Sequence, residues 1–251
     1  MKIIAEIGLN HCGDENRGVN LVHDLLKTDI DGITFQVRES SFYDHSHPRK
    51  KELRDSFYFE MSQTIKESGK DIGFAISRPE KINILPADFW KTLSWDLGNI
   101  KFLNDLKSTG RPIFVSTGMS SLKEIVNVSS SVDCLEFIHT QLDDKISGVN
   151  LKAISTIAQA TQRPCGFGLH CELLEVLYSS ISFSPSNIFF YVKDETGLEN
   201  PDDHWAISIS KVDEVTKNLK KLSTALGDGK KESKANVLHP SDDDITKKSI
   251  Q

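Results

Sequence analysis

The sequence predicts an α/β protein built as a closed (β/α)8 barrel, the parallel eight-stranded architecture known as a TIM barrel. Three observations carry that expectation. Short apolar runs alternate with helical patterns eight times in about 225 residues of a 251-residue chain. Strand-then-helix order makes the strands parallel, and eight such units are the number that closes a ring. The first strand also leads into Gly8-Leu9-Asn10-His11-Cys12-Gly13, which lacks the glycine fingerprint of an open dinucleotide-binding sheet.

The units follow in order. Ile3–Ile7 is an apolar strand interrupted by one acid, Glu6, and the helical pattern Val19–Lys27 comes after it. Gly32–Val37 is the second strand, with its helix over Lys51–Lys66. Ile72–Ile76 is the third; Arg78-Pro79-Glu80 through Pro86 leaves room behind it for only one or two helical turns. Phe89–Leu93 pairs with the helix Ile100–Lys107. The fifth unit is the plainest: Ile113, Phe114 and Val115 run into Ser116-Thr117-Gly118-Met119, and Leu122, Ile125 and Val126 begin a helix over Leu122–Val128. A buried strand thus opens into a small polar loop at a helix start, where unpaired N–H groups can accept an anion; Ser116 and Thr117 also read as a simple helix cap. Cys134–Ile138 with Leu151–Ala160, Cys165–Leu169 with Leu173–Ser180, and Ile188–Val192 with Lys211–Leu226 complete the set. Residues 1–226 are therefore expected to form the barrel, and 227–251, with Lys230-Lys231-Glu232 and Asp242-Asp243-Asp244, a polar tail or linker.

Composition narrows the function. A net charge of −6 offers no basic excess for nucleic acid, though a few local cations can still hold an anionic substrate. No apolar run approaches the roughly 18 residues of a membrane span, and Met1-Lys2 leads straight into strand pattern without a signal peptide. The four cysteines form no Cys-x-x-Cys pair, so a reducing cytoplasm is expected, with the thiols as buried apolar fillers.

In such barrels chemistry sits at the C-terminal ends of the strands. That rule selects Glu6, Asn10 and His11, then Thr34 and Gln36, Ser77 and Arg78, Lys91, Ser94 and Asp96, Ser116 and Thr117, His139, His170, and Tyr191, Lys193 and Asp194. A charge inside a strand is costly unless paired or used, which singles out Glu6 and Lys91. Their amine and carboxylate are expected to face each other across the rim, beside the Thr117 loop. His139 reads as a satisfied core histidine.

Ala5-Glu6-Ile7-Gly8-Leu9-Asn10-His11-Cys12-Gly13 resembles the AEIGxNHNG opening of the sialic acid synthase family, and Pro112 to Met119 resembles its PxxxSTGM. Ile33 to Gln36, Ile138-His139-Thr140, Gly166 to His170 and Pro201 to His204 resemble its VKxQ, LHC, GxSDH and GPDH in the same order. The resemblance implies condensation of phosphoenolpyruvate with an N-acetylated sugar, of the N-acetylmannosamine kind, to a nonulosonic acid in carbohydrate biosynthesis. It implies Glu6, Lys91 and Asp96 as catalytic, with Gln36, Ser94, Ser116, Thr117 and Asp202 on the substrates. It also implies manganese or another divalent metal on two histidines. One is His170; Tyr191 stands where the second belongs. Thr34 replaces a family lysine, Gly168-Leu169 the SD of GxSDH, and Leu142 an asparagine. Lys247-Lys248-Ser249-Ile250 resembles the start of the family's antifreeze-like domain, which this chain is expected to lack, and the family pairs as a homodimer. The expected partners are phosphoenolpyruvate and an N-acyl sugar. The alternative is a catalytically reduced paralogue that binds a sugar acid or a partner synthase without turnover.

Overall fold

The structure is a computed structural model that describes residues 1–45, 51–142 and 145–231. The strands are β1 (Lys2–Gly8), β2 (Gly32–Val37), β3 (Asp71–Ile76), β4 (Phe89–Thr92), β5 (Ile113–Ser116), β6 (Leu135–His139), β7 (Cys165–Gly168) and β8 (Asn187–Lys193). Each pairs in parallel with the next, and β8 returns to β1, so the ring closes as predicted. A two-residue strand, β9 (Ile207–Ser208), takes up β8 at Val192, where its pairing with β1 ends.

The helices are α1 (Glu15–Leu26), α2 (Ser40–His45), α3 (Asp55–Glu67), α4 (Ile100–Lys107), α5 (Leu122–Ser131), α6 (Ala153–Thr161), α7 (Leu174–Ser180) and α8 (Val212–Leu226). Several boundaries shift from their predicted places, most of all the starts of α1 and α3. The first helix begins at Glu15 because the Asp14 carboxylate accepts from the N–H groups of Asn16 and Arg17; a polar first turn shows no apolar stripe. The helix predicted from Lys51 begins only at Asp55. The sequence reading did not include α2. No helix of the described residues is long and apolar enough to cross a membrane.

Outward-facing strand residues and inward helix faces make the main core, with Ile3, Phe35, Phe74, Trp90, Val115 and Phe137 almost fully buried. The barrel's inside is a separate apolar layer: Ile4, Phe89, Phe114, Ile138 and Phe189. The Phe114 ring lies 5.3 Å from those of both Phe89 and Phe189, with the two pairs at steep angles. Gly73 makes room for this plug, since a Cβ there would sit 2.0 Å from the Phe89 ring.

The cysteines correct one expectation. Cys165 and Cys171 are buried, but Cys134 is exposed in a left-handed turn (φ 61°) and Cys12 is half-buried. Cys134 therefore precedes the strand that was predicted to start with it. The predicted tail beyond 231 lies outside the described residues.

Candidate active site

Side chains alternate along a strand, so two residues above the apolar layer the same strands again point inward. Here Ile4 gives way to Glu6, Phe89 to Lys91, Phe114 to Ser116 and Phe189 to Tyr191. The Lys91 Nζ donates to both Glu6 oxygens, at 2.6 and 2.7 Å, and the residues are 4% and 2% exposed. The ammonium also lies 5.4 Å from the Phe189 ring centre and 5.8 Å from that of Tyr191. The amine and the carboxylate meet inside the ring, as the strand-end charges suggested.

Above the pair opens a cavity of about 190 Å³, walled in part by Lys91, Gln36, Ser94, Ser116, His170 and Tyr191. The hydroxyls of Ser94 and Ser116 hydrogen-bond at 2.9 Å across the β4 and β5 ends. Asp202 and Trp205 cover it from the connection after β8. That connection is fastened from the turn after β1 and from α1. Asn10 donates through Nδ2 to the Val192 carbonyl (2.8 Å) and accepts from the Asp202 N–H (3.1 Å). Arg17 grips Asp194 with two nitrogens and Asn200 with one of them (2.7 Å). Local pattern could not have found this role of Arg17, because Asp194 and Asn200 lie more than 170 residues away along the chain.

Two predicted members stand elsewhere. The Thr117 hydroxyl and N–H both donate to the Ile138 carbonyl (3.0 and 3.1 Å), and the residue faces a second cavity with His139 and Gln141. The helix start beyond it is closed by Ser121 and Glu124 in a reciprocal capping box. Thr117 is thus directed away from Lys91, while Ser116 stays on the Lys91 cavity. Asp96, in a single 3-10 turn (Ser94–Asp96), is not part of the cavity lining. Its Oδ2 is buried without a hydrogen-bond partner, and burial, then the Glu39 carboxylate, push its carboxyl up to about 6.

The remaining groups are neutral. Burial and the nearby Lys91 charge push His170 down to about 3, and its Nδ1 sits 2.6 Å from the Thr140 hydroxyl. Burial, then the Glu6 and Asp202 carboxylates, push the Tyr191 phenol well above its ordinary range. Gly8, at φ +56°, lies so close to Tyr191 that a Cβ would come within 2.6 Å of the ring. His139, as read from the sequence, is a core histidine whose Nε2 hydrogen-bonds to the Val149 carbonyl (2.8 Å). His11 is buried below β1's end, accepts from the Gly13 N–H, and is pushed down to about 3 by burial and Arg17. His170 and Tyr191 rings stand edge to face at 5.6 Å. An imidazole beside a neutral phenol is a poor donor set for a divalent ion, and among the described residues no three His, Cys, Asp or Glu side chains gather to hold one. These residues do not fit the implied metal.

Residues 25–231 match the NeuB family. The chain is 28% identical to an uncharacterised protein of Methanocaldococcus jannaschii, over 97% of this chain and 75% of that protein. It is 23% identical to the N,N'-diacetyllegionaminic acid synthase of Legionella pneumophila, over 94% of this chain and 76% of that enzyme. The fold matches the N-acetylneuraminic acid synthetase of Leptospira borgpetersenii with a TM-score of 0.84 at 20% identity, covering 98% of this chain and 90% of that one.

Proposed function

The chain belongs to the NeuB family, and on that premise we propose that it is a nonulosonic acid synthase that joins phosphoenolpyruvate to an N-acylated sugar. Family membership and relatives named as sialic-type synthases support the reaction class. The observation that carries the reading is the buried Lys91–Glu6 pair at the base of the cavity, with the Ser94–Ser116 hydroxyl pair in its wall. An isolated ion pair at that depth stabilises little, and well-packed apolar residues would serve a purely structural role as well or better.

In the proposed reaction the methylene carbon of phosphoenolpyruvate bonds to the sugar's aldehyde carbon, whose C=O π bond breaks as its oxygen takes a proton from solvent water. Water then adds to the resulting oxocarbenium-like carbon, loses a proton, and the adduct expels inorganic phosphate. Lys91 and the two serines bind the anionic groups and stabilise charge as it shifts. Glu6 is the carboxylate that orients Lys91 and receives the water's proton; Asp96, which stands outside the cavity lining, takes no step. Gln36 and Asp202 position the sugar.

The test is phosphate release. Purified protein is expected to liberate phosphate from phosphoenolpyruvate only when an N-acylated hexose is present. No release across a panel of such sugars, together with tight binding of a sugar acid, would establish the second reading. The replacements at Thr34 and Tyr191 favour that reading: binding without turnover.

A further inference from the structure

Arg38 is a cation at the mouth with no part in the reaction above. It lies one residue past the end of β2 and two past Gln36, so it projects toward the same side, and it lines the cavity with Lys91 and Ser94. Its guanidinium lies over the Phe42 ring at 3.9 Å and the Trp95 ring at 4.5 Å, and its side chain is only 12% exposed. Nε and Nη2 donate to the two Glu39 oxygens at 3.0 and 2.7 Å. Glu39 is held separately by the Ser77 hydroxyl (2.7 Å), so it does not depend on Arg38 for its place. The Nη1 edge has no acceptor among the described residues.

The charge balance makes this arrangement informative. Lys91 is matched by Glu6 on both oxygens, and Thr34, four residues back on the strand that leads to Arg38, is neutral. A substrate bearing a phosphate or carboxylate therefore meets an ammonium matched by Glu6 deep in the barrel and, at the entrance, a guanidinium that Glu39 holds on one edge and leaves open on the other. The two rings hold the guanidinium plane in place before any ligand arrives, and a planar fork suits a carboxylate or phosphate better than an ammonium does.

We propose that Arg38 is the anion receptor of this site, taking a phosphate or carboxylate of the bound substrate on its open edge and exchanging Glu39 for it when the contact is bidentate. The assignment rests on the synthase reading only in naming the ligand as a substrate. Two sources fit the chemistry: phosphoenolpyruvate, or an acceptor sugar that is itself phosphorylated.

Calorimetric titration of the full chain separates them without turnover, using phosphoenolpyruvate, N-acetylmannosamine 6-phosphate and inorganic phosphate as probes. Arg38→Gln is expected to weaken binding of at least one probe about 10- to 100-fold, the scale of losing a charge-assisted pair. Arg38→Lys restores only part, because it keeps the charge and loses the fork. Glu39→Gln tightens binding several-fold by removing the competing carboxylate, whereas a merely structural pair predicts no gain. The probe that weakens identifies the source. Equal affinity of wild type and Arg38→Gln for all three probes overturns the receptor, whatever the turnover. Arg38-dependent binding without phosphate release defeats the synthase reading and leaves the receptor standing.

Discussion

Two layers inside the barrel sit only two residues apart on the same strands, yet they follow opposite rules. The lower one is carbon: Ile4, Phe89, Phe114, Ile138 and Phe189 fill the ring with rings and methyl groups. The upper one puts Glu6, Lys91, Ser116 and Tyr191 into an equally enclosed space, where each charge or hydroxyl needs a partner. The lower layer contributes stability through burial, on the order of 2–3 kcal/mol for each large apolar side chain. The upper layer contributes little net stability and holds charge where a reaction can use it. The strand alternation that builds one therefore delivers the other, and the two can be altered separately.

The sharpest way to break this contrast is Lys91→Met. It strands Glu6 in the interior and is expected to lower stability by about 3–5 kcal/mol and abolish phosphate release. Adding Glu6→Leu should return most of the lost stability in urea unfolding without returning any turnover. A double variant no more stable than the single one would mean that the pair is structural after all. Next in size is the lower layer. Phe114→Ala should cost about 3–5 kcal/mol, while the folded protein keeps wild-type affinity for phosphoenolpyruvate; a large loss of affinity at full folding would show that the layers are coupled.

The smallest effect is a pH dependence. Asp96 has its carboxyl raised from 3.8 to about 6, so it holds its proton more tightly folded than unfolded. Its contribution to stability is greatest below about pH 4 and falls as pH rises to about 6. His11 and His170 act in the opposite sense: both are held neutral down to about 3, so stability falls as pH drops below 6.5. The difference in melting temperature between wild type and Asp96→Asn isolates the first effect. The variant should be the more stable above pH 6, with the advantage vanishing near pH 4; a constant difference across that range would remove the buried-acid assignment.

The barrel was legible because burial on both faces writes itself into local sequence. Ile113-Phe114-Val115 can hardly be anything but a covered strand, and its neighbours repeat the pattern. Lys91 and Glu6 were legible for the converse reason, as charges where the pattern demands apolar residues. What escaped depends on contacts distant in sequence or on loop direction. Arg38 looks like an ordinary loop arginine until α2 brings Phe42, and the β4 end brings Trp95, against it. Thr117 sits in the most recognisable motif of the chain, but one rotation of the backbone commits it to Ile138 and to a different cavity. Nothing local distinguishes it from Ser116, which does reach the mouth.

The seam that closes the ring joins Lys2 to Asn187 and Glu6 to Tyr191. During synthesis the first strand therefore leaves the ribosome long before its partner exists. At about 5–20 residues per second, the wait is on the order of ten to forty seconds. Throughout it Ile4, the unmatched backbone of that strand and the half-assembled phenylalanine plug are open to other nascent chains. Chaperone demand for this protein should accordingly concentrate on the interval before residue 193 emerges, and a circular permutant that brings the two seam strands together early should need less help.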